Sequence, residues 1–449
     1  MPEFAIIGSG AAGSLTAWRL RQHFPDARIV VFERDHRIGG RASTVPFAGE
    51  VIEVGGTLLH SSNKILCDLA SELDLDHSTS PVALGDLDAS IAIWDGKKFL
   101  FRASTKGAAF LLGLVRRYGL GNLRRFRRVA VSAVTAWTGI YALQASGRVF
   151  DGPADILGAL GLSDTITASF RDIAYTNGVS PRVMDELAMG VLRNMYNQDP
   201  EISGFAGTVG LAGAGLAGGS LFSIAAGNAA LFSGALERVG ADVRLGTAVV
   251  EITAGRTVIT AEGVSETFDA VVLAAPNESA GIRGPGLDRV TDNGYQTVHV
   301  TLIAGLVNPA YFGTGSVPGS VFTTKSAEFK SFGRVGFSAQ HTVPIYKIFS
   351  ADAVDEALLG RLFSSVADTH ALVWQAYPKM TVDPTLHSFT AAPGIYTANV
   401  LEAVMSTLET EAVAGWSVAD LVARDLASGA GPDAAHDLAG TARGQSAPA

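Results

Sequence analysis

The sequence predicts an α/β protein in which a Rossmann-type nucleotide-binding domain, assembled from three separated segments, is interleaved with an α+β substrate domain. The chain opens with a short apolar run that leads into a G-x-G-x-x-G turn and a helix. A second strand after that helix ends in an acidic residue. Apolar runs at 269–276 and 394–399 then return the chain to the same sheet, because a fully buried parallel strand reads as a continuous apolar segment.

The first turn has the residues that a dinucleotide needs. Gly8 permits the tight turn, Gly10 lets the backbone approach a pyrophosphate, and Gly13 lets the helix pack closely on the strand. The free N–H groups and the dipole of the helix start favour anions. Glu33 follows Gly13 by 33 − 13 = 20 residues, the spacing of a ribose-binding acid. The cofactor-binding residues predicted here are Gly8, Gly10, Ala11, Ala12, Gly13, Glu33 and Arg34.

A second group of glycines indicates which dinucleotide binds. Gly39 and Gly40 precede Arg41 after the second strand, and 55–57 close a predicted hairpin with two more glycines. This arrangement resembles the two-domain flavoproteins of the amine oxidase and phytoene desaturase group, which implies FAD in a glutathione reductase-like domain. The further predicted FAD contacts are Gly39, Gly40, Arg41, Gly55, Gly56, Thr57, Val250, Ala275, Glu402, Ser406 and Thr407.

The chain divides into alternating segments. Residues 1–60, 220–280 and 390–428 are assigned to the FAD-binding domain, and 61–219 and 281–389 to the substrate domain. The first substrate segment is predicted to be mostly helical, whereas the second contributes a strand at 297–305 and a helix-rich piece at 354–365. A long helix at 406–426 is expected to begin at the isoalloxazine, where its dipole would stabilise negative charge. The Ala/Gly/Pro/Ser-rich tail at 429–449 is predicted to be disordered.

Composition excludes several classes of function. Hydrophobic residues make up 47% of the 449 positions and charged residues 17%, so the chain can form a large core. The net charge of −9 argues against a nucleic-acid partner. Cys67 is the single cysteine, the nine histidines have no ligand spacing that predicts a metal, and the first residues enter the first strand directly, so we expect a cytoplasmic protein.

One basic segment leaves three interpretations open. Residues 123–128 contain four arginines and precede a weakly polar run at 129–145, which is short for the roughly 20 residues of a membrane-spanning helix. The segment is consistent with a buried helix that has a solvated basic end, with an interfacial helix in peripheral contact with lipid headgroups, or with a spanning helix.

Later motifs resemble one family within the flavoproteins. They are Phe32-Glu33-Arg34 with Gly39-Gly40-Arg41, 55–60, 195–198, 227–236, Tyr295-Gln296 with 301–305, Trp374 with Tyr377-Pro378, and Glu402 with Ser406, Glu409 and Ala412. Taken together they resemble the prenylcysteine oxidase family. The resemblance implies FAD, molecular oxygen, and cleavage of an apolar S-prenyl thioether by hydride transfer to flavin N5, giving an aldehyde, a free thiol and hydrogen peroxide.

This reaction does not require strong acid–base residues in the protein, since the cofactor performs the difficult step. The candidate catalytic residues are His60, Tyr196 and Gln198. His60, just past Gly55-Gly56, could position or deprotonate the attacking water, or could merely contact the cofactor or the core. A flavin amine oxidase or a carotenoid-type desaturase acting on another apolar substrate is the alternative enzyme. A partner-binding protein with a structural flavin is the alternative outside enzymes, and the sequence does not predict the oligomeric state.

Overall fold

The computed structural model describes residues 1–78, 90–104, 108–213, 218–289, 294–324 and 327–429. The tail predicted to be disordered lies, apart from Gly429, outside the described residues. The strands, numbered in chain order, are β1 (Glu3–Ile7), β2 (Arg28–Phe32), β3 (Thr44–Phe47), β4 (Glu50–Glu53), β5 (Leu59–His60), β6 (His77–Ser78), β7 (Ser90–Trp94), β8 (Phe99–Ser104), β9 (Leu221–Ile224), β10 (Asp242–Arg244), β11 (Val249–Ile252), β12 (Thr257–Thr260), β13 (Ser265–Thr267), β14 (Ala270–Leu273), β15 (Tyr295–Val307), β16 (Ser320–Thr323), β17 (Ser331–Ser338), β18 (Val343–Ser350), β19 (Phe363–Pro378), β20 (Thr390–Ala392) and β21 (Ile395–Thr397).

The α-helices are α1 (Ala11–His23), α2 (Lys64–Glu72), α3 (Ala108–Tyr118), α4 (Leu120–Trp137), α5 (Gly139–Ala145), α6 (Pro153–Leu160), α7 (Phe170–Thr176), α8 (Met189–Tyr196), α9 (Gly204–Gly213), α10 (Ala229–Arg238), α11 (Asn277–Ala280), α12 (Glu356–Leu362) and α13 (Leu408–Ala427). A π-helical segment, Val183–Ala188, leads into α8, and a 3₁₀ turn, Asn399–Ala403, precedes α13.

A six-stranded sheet in the order β10-β2-β1-β14-β21-β20 forms the nucleotide-binding half. The first five strands in that order are parallel, and β20 is antiparallel at one edge. Both faces of β1 and β14 are covered, which explains their continuous apolar sequences. The strands come from the three segments predicted for this domain, so the α/β fold class is confirmed, while the exact domain boundaries stay predictions.

The helices α1 and α13 pack together on one face of this sheet. The backbone of Gly415 lies so close to Ala12 that a Cβ would overlap the Ala12 carbonyl oxygen. The Thr16 hydroxyl bonds the Gly415 carbonyl oxygen at 3.2 Å. The opposite face is covered by apolar residues of β11 and β12, which belong to a three-stranded sheet, β11-β12-β13.

A seven-stranded sheet in the order β19-β15-β18-β17-β16-β7-β8 forms the substrate half. Its neighbours are antiparallel except for the parallel pair β16 and β7. The predicted strand at 297–305 is confirmed and extends over Tyr295–Val307.

The structure adds detail to two sequence-based predictions for this half. The described residues of the first substrate segment are mostly helical, as predicted, and the segment also contributes β7 and β8. Each of these strands is a short apolar run, which pattern alone does not assign to helix or strand. The piece at 354–365 contains the seven-residue helix α12, as predicted, before the chain enters β19. Residues 364–369 of β19 are exposed and lack an apolar face, so pairing with β15 decides their conformation.

The helices α3, α4 and α8 cover the β8-β7-β16 side of the seven-stranded sheet. α4 buries one face through Phe126, Val129, Ala130, Ala133 and Trp137, and its arginines at 124, 125, 127 and 128 are exposed. This agrees with a buried helix that has a solvated basic end, and leaves an interfacial contact open. No helix in the described part of the chain combines the length and apolar character needed to cross a membrane.

Candidate active site

The turn between β1 and α1 is closed by very tight backbone packing. The amide of Gly8 donates to the carbonyl of Phe32 on the neighbouring strand at 2.8 Å. A Cβ on Gly13 would overlap the Gly8 carbonyl oxygen, so only glycine lets α1 approach the strand this closely. α1 begins at Ala11, and its first N–H groups, Ala11 and Ala12 included, therefore lie at the carboxyl end of β1. This is the position at which parallel sheets bind phosphate groups.

Glu33 lies directly behind this turn. One carboxylate oxygen of Glu33 accepts hydrogen bonds from the Ser9 amide at 2.9 Å and the Ser9 hydroxyl at 2.7 Å. The other oxygen accepts from the Asp35 amide at 2.9 Å. These bonds fix a buried carboxylate beside the phosphate-binding turn, and they leave lone pairs available for ribose hydroxyls.

The second glycine pair faces the first. The Gly39 amide donates to the Ser9 carbonyl at 3.1 Å. Gly40 has φ +55°, and a Cβ there would approach the Cα of Gly10 to 3.2 Å. Ala275, after β14, lies on the far side of the turn against Gly8. A narrow, glycine-lined crevice results.

A buried ion pair connects this crevice to the end of the chain. The Arg41 guanidinium pairs with one carboxylate oxygen of Glu402, and the Tyr295 hydroxyl donates to the other. The side-chain amide of Asn399 donates to Glu402 at 3.2 Å. Burial raises the pKa of Tyr295, and the Glu402 charge adds to the increase, so the hydroxyl keeps its proton. Glu402 is therefore occupied with holding Arg41 and Tyr295 in place.

The N-terminus of α13 faces the loop at 55–57. Thr407 caps this helix: its hydroxyl accepts from the Thr410 amide at 3.1 Å, and the Thr410 hydroxyl accepts from the Thr407 amide at 2.7 Å. The Leu408 side chain packs on Gly56, where a Cβ would come within 3.0 Å of it. The Gly56 amide donates to the carbonyl of Arg41 at 2.9 Å, so the loop, the arginine and the helix start form one unit.

A cavity of about 340 Å³ opens between the helical cover and the seven-stranded sheet. Most of its lining is aliphatic or aromatic, and no described lining residue carries a carboxylate. Leu58, Met195 and Leu221 also line a smaller cavity of about 100 Å³ that reaches His60, Tyr196, Thr407 and Leu408. The larger lining comprises Leu58, Ile91, Ile93, Phe101, Phe110, Leu111, Leu114, Leu123, Phe126, Arg127, Leu187, Val191, Asn194, Met195, Leu221, Ser320, Phe322, Ser331, Phe332, Gly333, Arg334, Val335, Lys347 and Phe349.

Lys347 is a buried amine in the wall of the larger cavity. Its Nζ donates to the backbone oxygen of Glu53 at 3.0 Å and lies 3.5 Å from the Thr57 hydroxyl. Burial lowers the pKa of Lys347 to about 8, although the nearby Glu53 carboxylate opposes this change. Sequence reasoning missed this residue, and the signal that could have found it is a single lysine within the apolar strand β18.

His60 is held by hydrogen bonds to both of its ring nitrogens. Its Nε2 lies 2.5 Å from the carbonyl oxygen of Gly218, and its Nδ1 lies 2.7 Å from the hydroxyl of Ser62. Because a carbonyl can only accept, Nε2 carries the proton and Nδ1 accepts from Ser62. His60 lines the smaller cavity, but its nitrogens are engaged with the protein.

Tyr196 and Gln198 lie at the end of α8. Tyr196 is buried, lines the smaller cavity, and packs edge-on against the ring of Tyr377 with centroids 5.5 Å apart. Gln198 lines neither cavity: its amide donates to the Pro378 carbonyl at 3.0 Å and accepts from the Met380 amide at 3.1 Å. The Gln198 side chain links α8 to the end of β19, because both of its polar atoms have backbone partners there, and a catalytic role for it stays a prediction.

The sequence of the larger part of the chain matches a known family. The family model described as prenylcysteine lyase covers residues 101–431.

The chain belongs to the prenylcysteine lyase family.

A second model, the NAD(P)-binding Rossmann-like domain, covers residues 6–73 and therefore includes the first turn and Glu33. Among the relatives, farnesylcysteine lyase of Arabidopsis thaliana is 30% identical over 443 residues, covering 93% of this chain and 87% of the relative. Prenylcysteine oxidase 1-like of Homo sapiens is 28% identical over 451 residues, which covers 93% of this chain and 89% of the relative. The cyclohexylamine oxidase from Brevibacterium oxydans IH-35A has a similar fold, with a TM-score of 0.64 at 18% identity. The match covers 95% of this chain and 99% of the oxidase.

This member of the prenylcysteine lyase family is an FAD-dependent oxidoreductase. The predictions of the family, of the Rossmann-type domain, of FAD and of an oxidoreductase are confirmed. The residues present also fit FAD. The glycines of the first turn and of the Gly39–Gly40 segment present backbone without a Cβ, so no side chain of theirs would separate it from a ligand. In addition, Glu411 Oε2 and Asn399 Oδ1 are buried oxygens that lack a hydrogen-bond partner in the described part of the chain. Such oxygens are available to accept hydrogen bonds from the hydroxyl groups of a ligand.

Three other predicted FAD contacts, Val250, Arg34 and Ser406, lie in three different local environments. Val250 lies at a bulge in β11, out of register with β12, and its carbonyl oxygen accepts a hydrogen bond from the Arg283 amide at 3.1 Å. Arg34 is exposed at the rim of the crevice and donates to the Ser279 carbonyl at 3.4 Å. Ser406 donates to Glu411 at 3.3 Å, and burial together with the Glu402 charge raises the pKa of Glu411. These contacts to the cofactor stay predictions.

In this member of the prenylcysteine lyase family, different predicted residues would bind different parts of the cofactor. Gly8–Gly13 with Gly39 and Gly40 would hold the pyrophosphate, and Glu33 would bind the ribose. Gly55, Gly56 and Thr57, opposite the start of α13, would hold the flavin ring.

Proposed function

We propose that this enzyme cleaves the thioether of an S-prenylated cysteine at the allylic carbon next to sulfur, with molecular oxygen as the electron acceptor. In balance, the thioether, one O₂ and one H₂O give a prenyl aldehyde, the free thiol of cysteine and one H₂O₂. The carbon is oxidised, the C–S bond breaks, and oxygen takes up the two electrons and two protons. Relatives named farnesylcysteine lyase and prenylcysteine oxidase support this substrate class.

The apolar cavity is the observation that carries the proposal. Its volume of about 340 Å³ lies within the range of about 300–1,000 Å³ that is usual for small-molecule sites. Phenylalanine and leucine side chains suit a branched hydrocarbon. The absence of a carboxylate among the described lining residues disfavours a protonated amine, which is the substrate that the amine oxidase alternative requires.

The protein's own residues orient the substrate and control protons. FAD, when bound, supplies the acceptor for a hydride from the carbon next to sulfur and passes the electrons on to oxygen. The helical cover excludes bulk water from the reacting carbon. With a pKa of about 8, Nζ of Lys347 can accept the proton that is released when water adds to that carbon.

The test is anaerobic mixing of the purified holoenzyme with S-farnesylcysteine, followed by the visible absorbance of oxidised flavin. We expect rapid bleaching, and stoichiometric hydrogen peroxide and farnesal after air is admitted. S-dodecylcysteine, which lacks the allylic double bond, is the matched control and should not bleach the flavin. Bleaching by amines or polyenes but not by S-farnesylcysteine would overturn the proposed substrate.

We also propose that the surface formed by α3 and α4 contacts an anionic membrane from which the apolar substrate is taken. Leu112 and Leu120 are 68% and 45% exposed. Arg116 follows Leu112 by four residues, and Arg124 follows Leu120 by four, so each leucine shares a helix face with an arginine. Arg116, Arg124, Arg125 and Arg128 are exposed and form no ion pair with a described residue. The same helices line the cavity.

Flotation with vesicles tests this contact. The unaltered holoenzyme should float with vesicles containing phosphatidylserine and remain unbound with pure phosphatidylcholine, since each basic residue near an anionic surface contributes about 1 kcal/mol. The double variants Leu112→Gln/Leu120→Gln and Arg124→Gln/Arg128→Gln should lose flotation. The exposed apolar control Leu245→Gln/Val264→Gln should keep it. No flotation of the unaltered protein would refute the contact, and a cytoplasmic location stays a prediction.

A further inference from the structure

The larger cavity contains a cation that the proposed chemistry does not use. Arg334 lies on β17 and lines the cavity together with Ser320 and Ser331. Its Nε is buried and has no hydrogen-bond partner, and its guanidinium makes no ion pair with any described residue. A charged donor that is buried without a partner is costly, so such a group usually has an anion to bind.

The other cations of the cavity are accounted for. Lys347 donates to the Glu53 backbone oxygen and lies within 3.5 Å of the Thr57 hydroxyl. Arg127 is exposed on α4, where water solvates it. Arg334 therefore differs from both, because it is partly buried among apolar residues and has no acidic partner among the described residues.

A break in the strand register lies directly beside Arg334. β17 pairs regularly with β18 up to Arg334 and resumes at Gly336, so one extra residue is inserted between them. Such a bulge redirects side chains and is common beside ligand sites. The Arg334 amide is anchored to the Gly319 carbonyl at 2.8 Å, which fixes the backbone from which the side chain extends.

We infer that Arg334 binds the α-carboxylate of the cysteine head group of the substrate, while the prenyl chain occupies the apolar part of the cavity. The inference rests on the proposed function for the identity of the ligand. Arginine suits this task because its planar guanidinium pairs with a carboxylate through two parallel hydrogen bonds. The enzyme consequently selects free prenylcysteine over its methyl ester and over a prenylcysteine whose carboxyl group is amidated.

Calorimetric binding to the holoenzyme tests the anchor without any turnover. S-dodecylcysteine and S-dodecylcysteamine share the thioether and the amine, and only the first has a carboxylate. We expect the cysteine ligand to bind the unaltered enzyme roughly 10- to 100-fold more tightly, the usual size of a charged hydrogen-bond contribution. The variant Arg334→Gln should lose this difference and bind S-dodecylcysteamine as before, and Arg334→Lys should restore part of it.

A control and a second readout separate the possible failures. Arg127→Gln, at the same cavity, should keep the discrimination between the two ligands. Equal affinities of the unaltered enzyme for both ligands would overturn the inference, and this measurement needs no variant to fold. Discrimination that depends on Arg334, in an enzyme whose flavin S-farnesylcysteine does not bleach, would uphold the carboxylate anchor and refute the proposed reaction alone.

Discussion

Lys347 places a titratable amine in a wall that is otherwise mainly apolar, next to the loop at 55–57. With its pKa lowered to about 8, the amine is mostly charged at pH 7 and mostly neutral at pH 9. If neutral Lys347 accepts a proton during the reaction, the rate of flavin bleaching by S-farnesylcysteine should rise as the pH increases through about 8. Stopped-flow measurements from pH 6 to 10 would give this profile.

The variant Lys347→Met should remove that inflection and lower the rate, by about 10²-fold or more if proton transfer is involved. Lys98, which is exposed at the β7–β8 turn, offers a matched control, and Lys98→Met should keep the inflection. An unchanged pH profile in Lys347→Met would exclude the amine from the proton transfer.

Glu33 allows a prediction about cofactor affinity. Glu33→Gln keeps the size of the side chain but removes the charge that accepts from Ser9 and Asp35. We expect roughly 10- to 100-fold weaker FAD binding to the apoprotein, measured by quenching of flavin fluorescence. Glu262→Gln, at an exposed turn, should bind FAD as the unaltered protein does. Equal affinities in the two variants would show that Glu33 is not a cofactor ligand.

At the scale of residues, the geometry is predictable from the sequence where local spacing defines it. The glycines of the first turn and Glu33 belong to one strand–turn–helix unit, so their spacing already fixes which atoms are neighbours. Lys347 and Arg334 line the cavity from β18 and β17, which pair with each other in the substrate sheet. No local sequence pattern predicts which strands pair, so neither residue could be assigned to the cavity from the sequence. His60 lines the smaller cavity, but its bond to Gly218 depends on a distant segment, and a catalytic role for it stays a prediction.

At the scale of single elements, α13 is the helix most closely tied to the cofactor. Its capping box joins Thr407 and Thr410, and its first turn packs on Gly56. Thr407→Ala should lower the free energy of unfolding by about 0.5–2 kcal/mol, since one helix N–H loses its acceptor. Urea unfolding of the holoenzyme measures this change, and Thr407→Ser should restore the unaltered value. A Thr407→Ala variant as stable as the unaltered protein would mean that water or Thr410 replaces the cap.

Strong periodicity made some elements predictable. The helix predicted at 406–426 is observed over Leu408–Ala427, and the strand predicted within 269–276 is observed over Ala270–Leu273. β19 was not foreseen, because it lies at the edge of the sheet, where nine of its residues are exposed and so carry no apolar alternation. Its conformation is imposed by β15, which is a tertiary effect.

At the scale of the whole molecule, the cofactor site draws on three distant parts of the chain. The crevice combines 8–13 with 33–41, and the Arg41–Glu402 pair adds 399–408. FAD that binds all three parts should stabilise the folded state by about 2.7 kcal/mol when free FAD exceeds its Kd 100-fold. Thermal unfolding of apoprotein and holoprotein should therefore differ. Riboflavin, which lacks the pyrophosphate, should raise the unfolding temperature of the apoprotein less than FAD does. An equal increase with both ligands would argue against the glycine crevice as the phosphate site.

The order of the six-stranded sheet also sets when the protein can fold during its synthesis. β1 lies in the first seven residues, but its neighbour β14 ends at Leu273, and the next strand, β21, ends only at Thr397. At about 5–20 residues per second, the ribosome needs roughly 20–80 s between the first strand and β21. The exposed apolar strand β1 must be protected throughout that time. A chain that stops at residue 389 should remain sensitive to protease and fail to retain FAD, whereas protease resistance at that length would show that the sheet closes without its last strands.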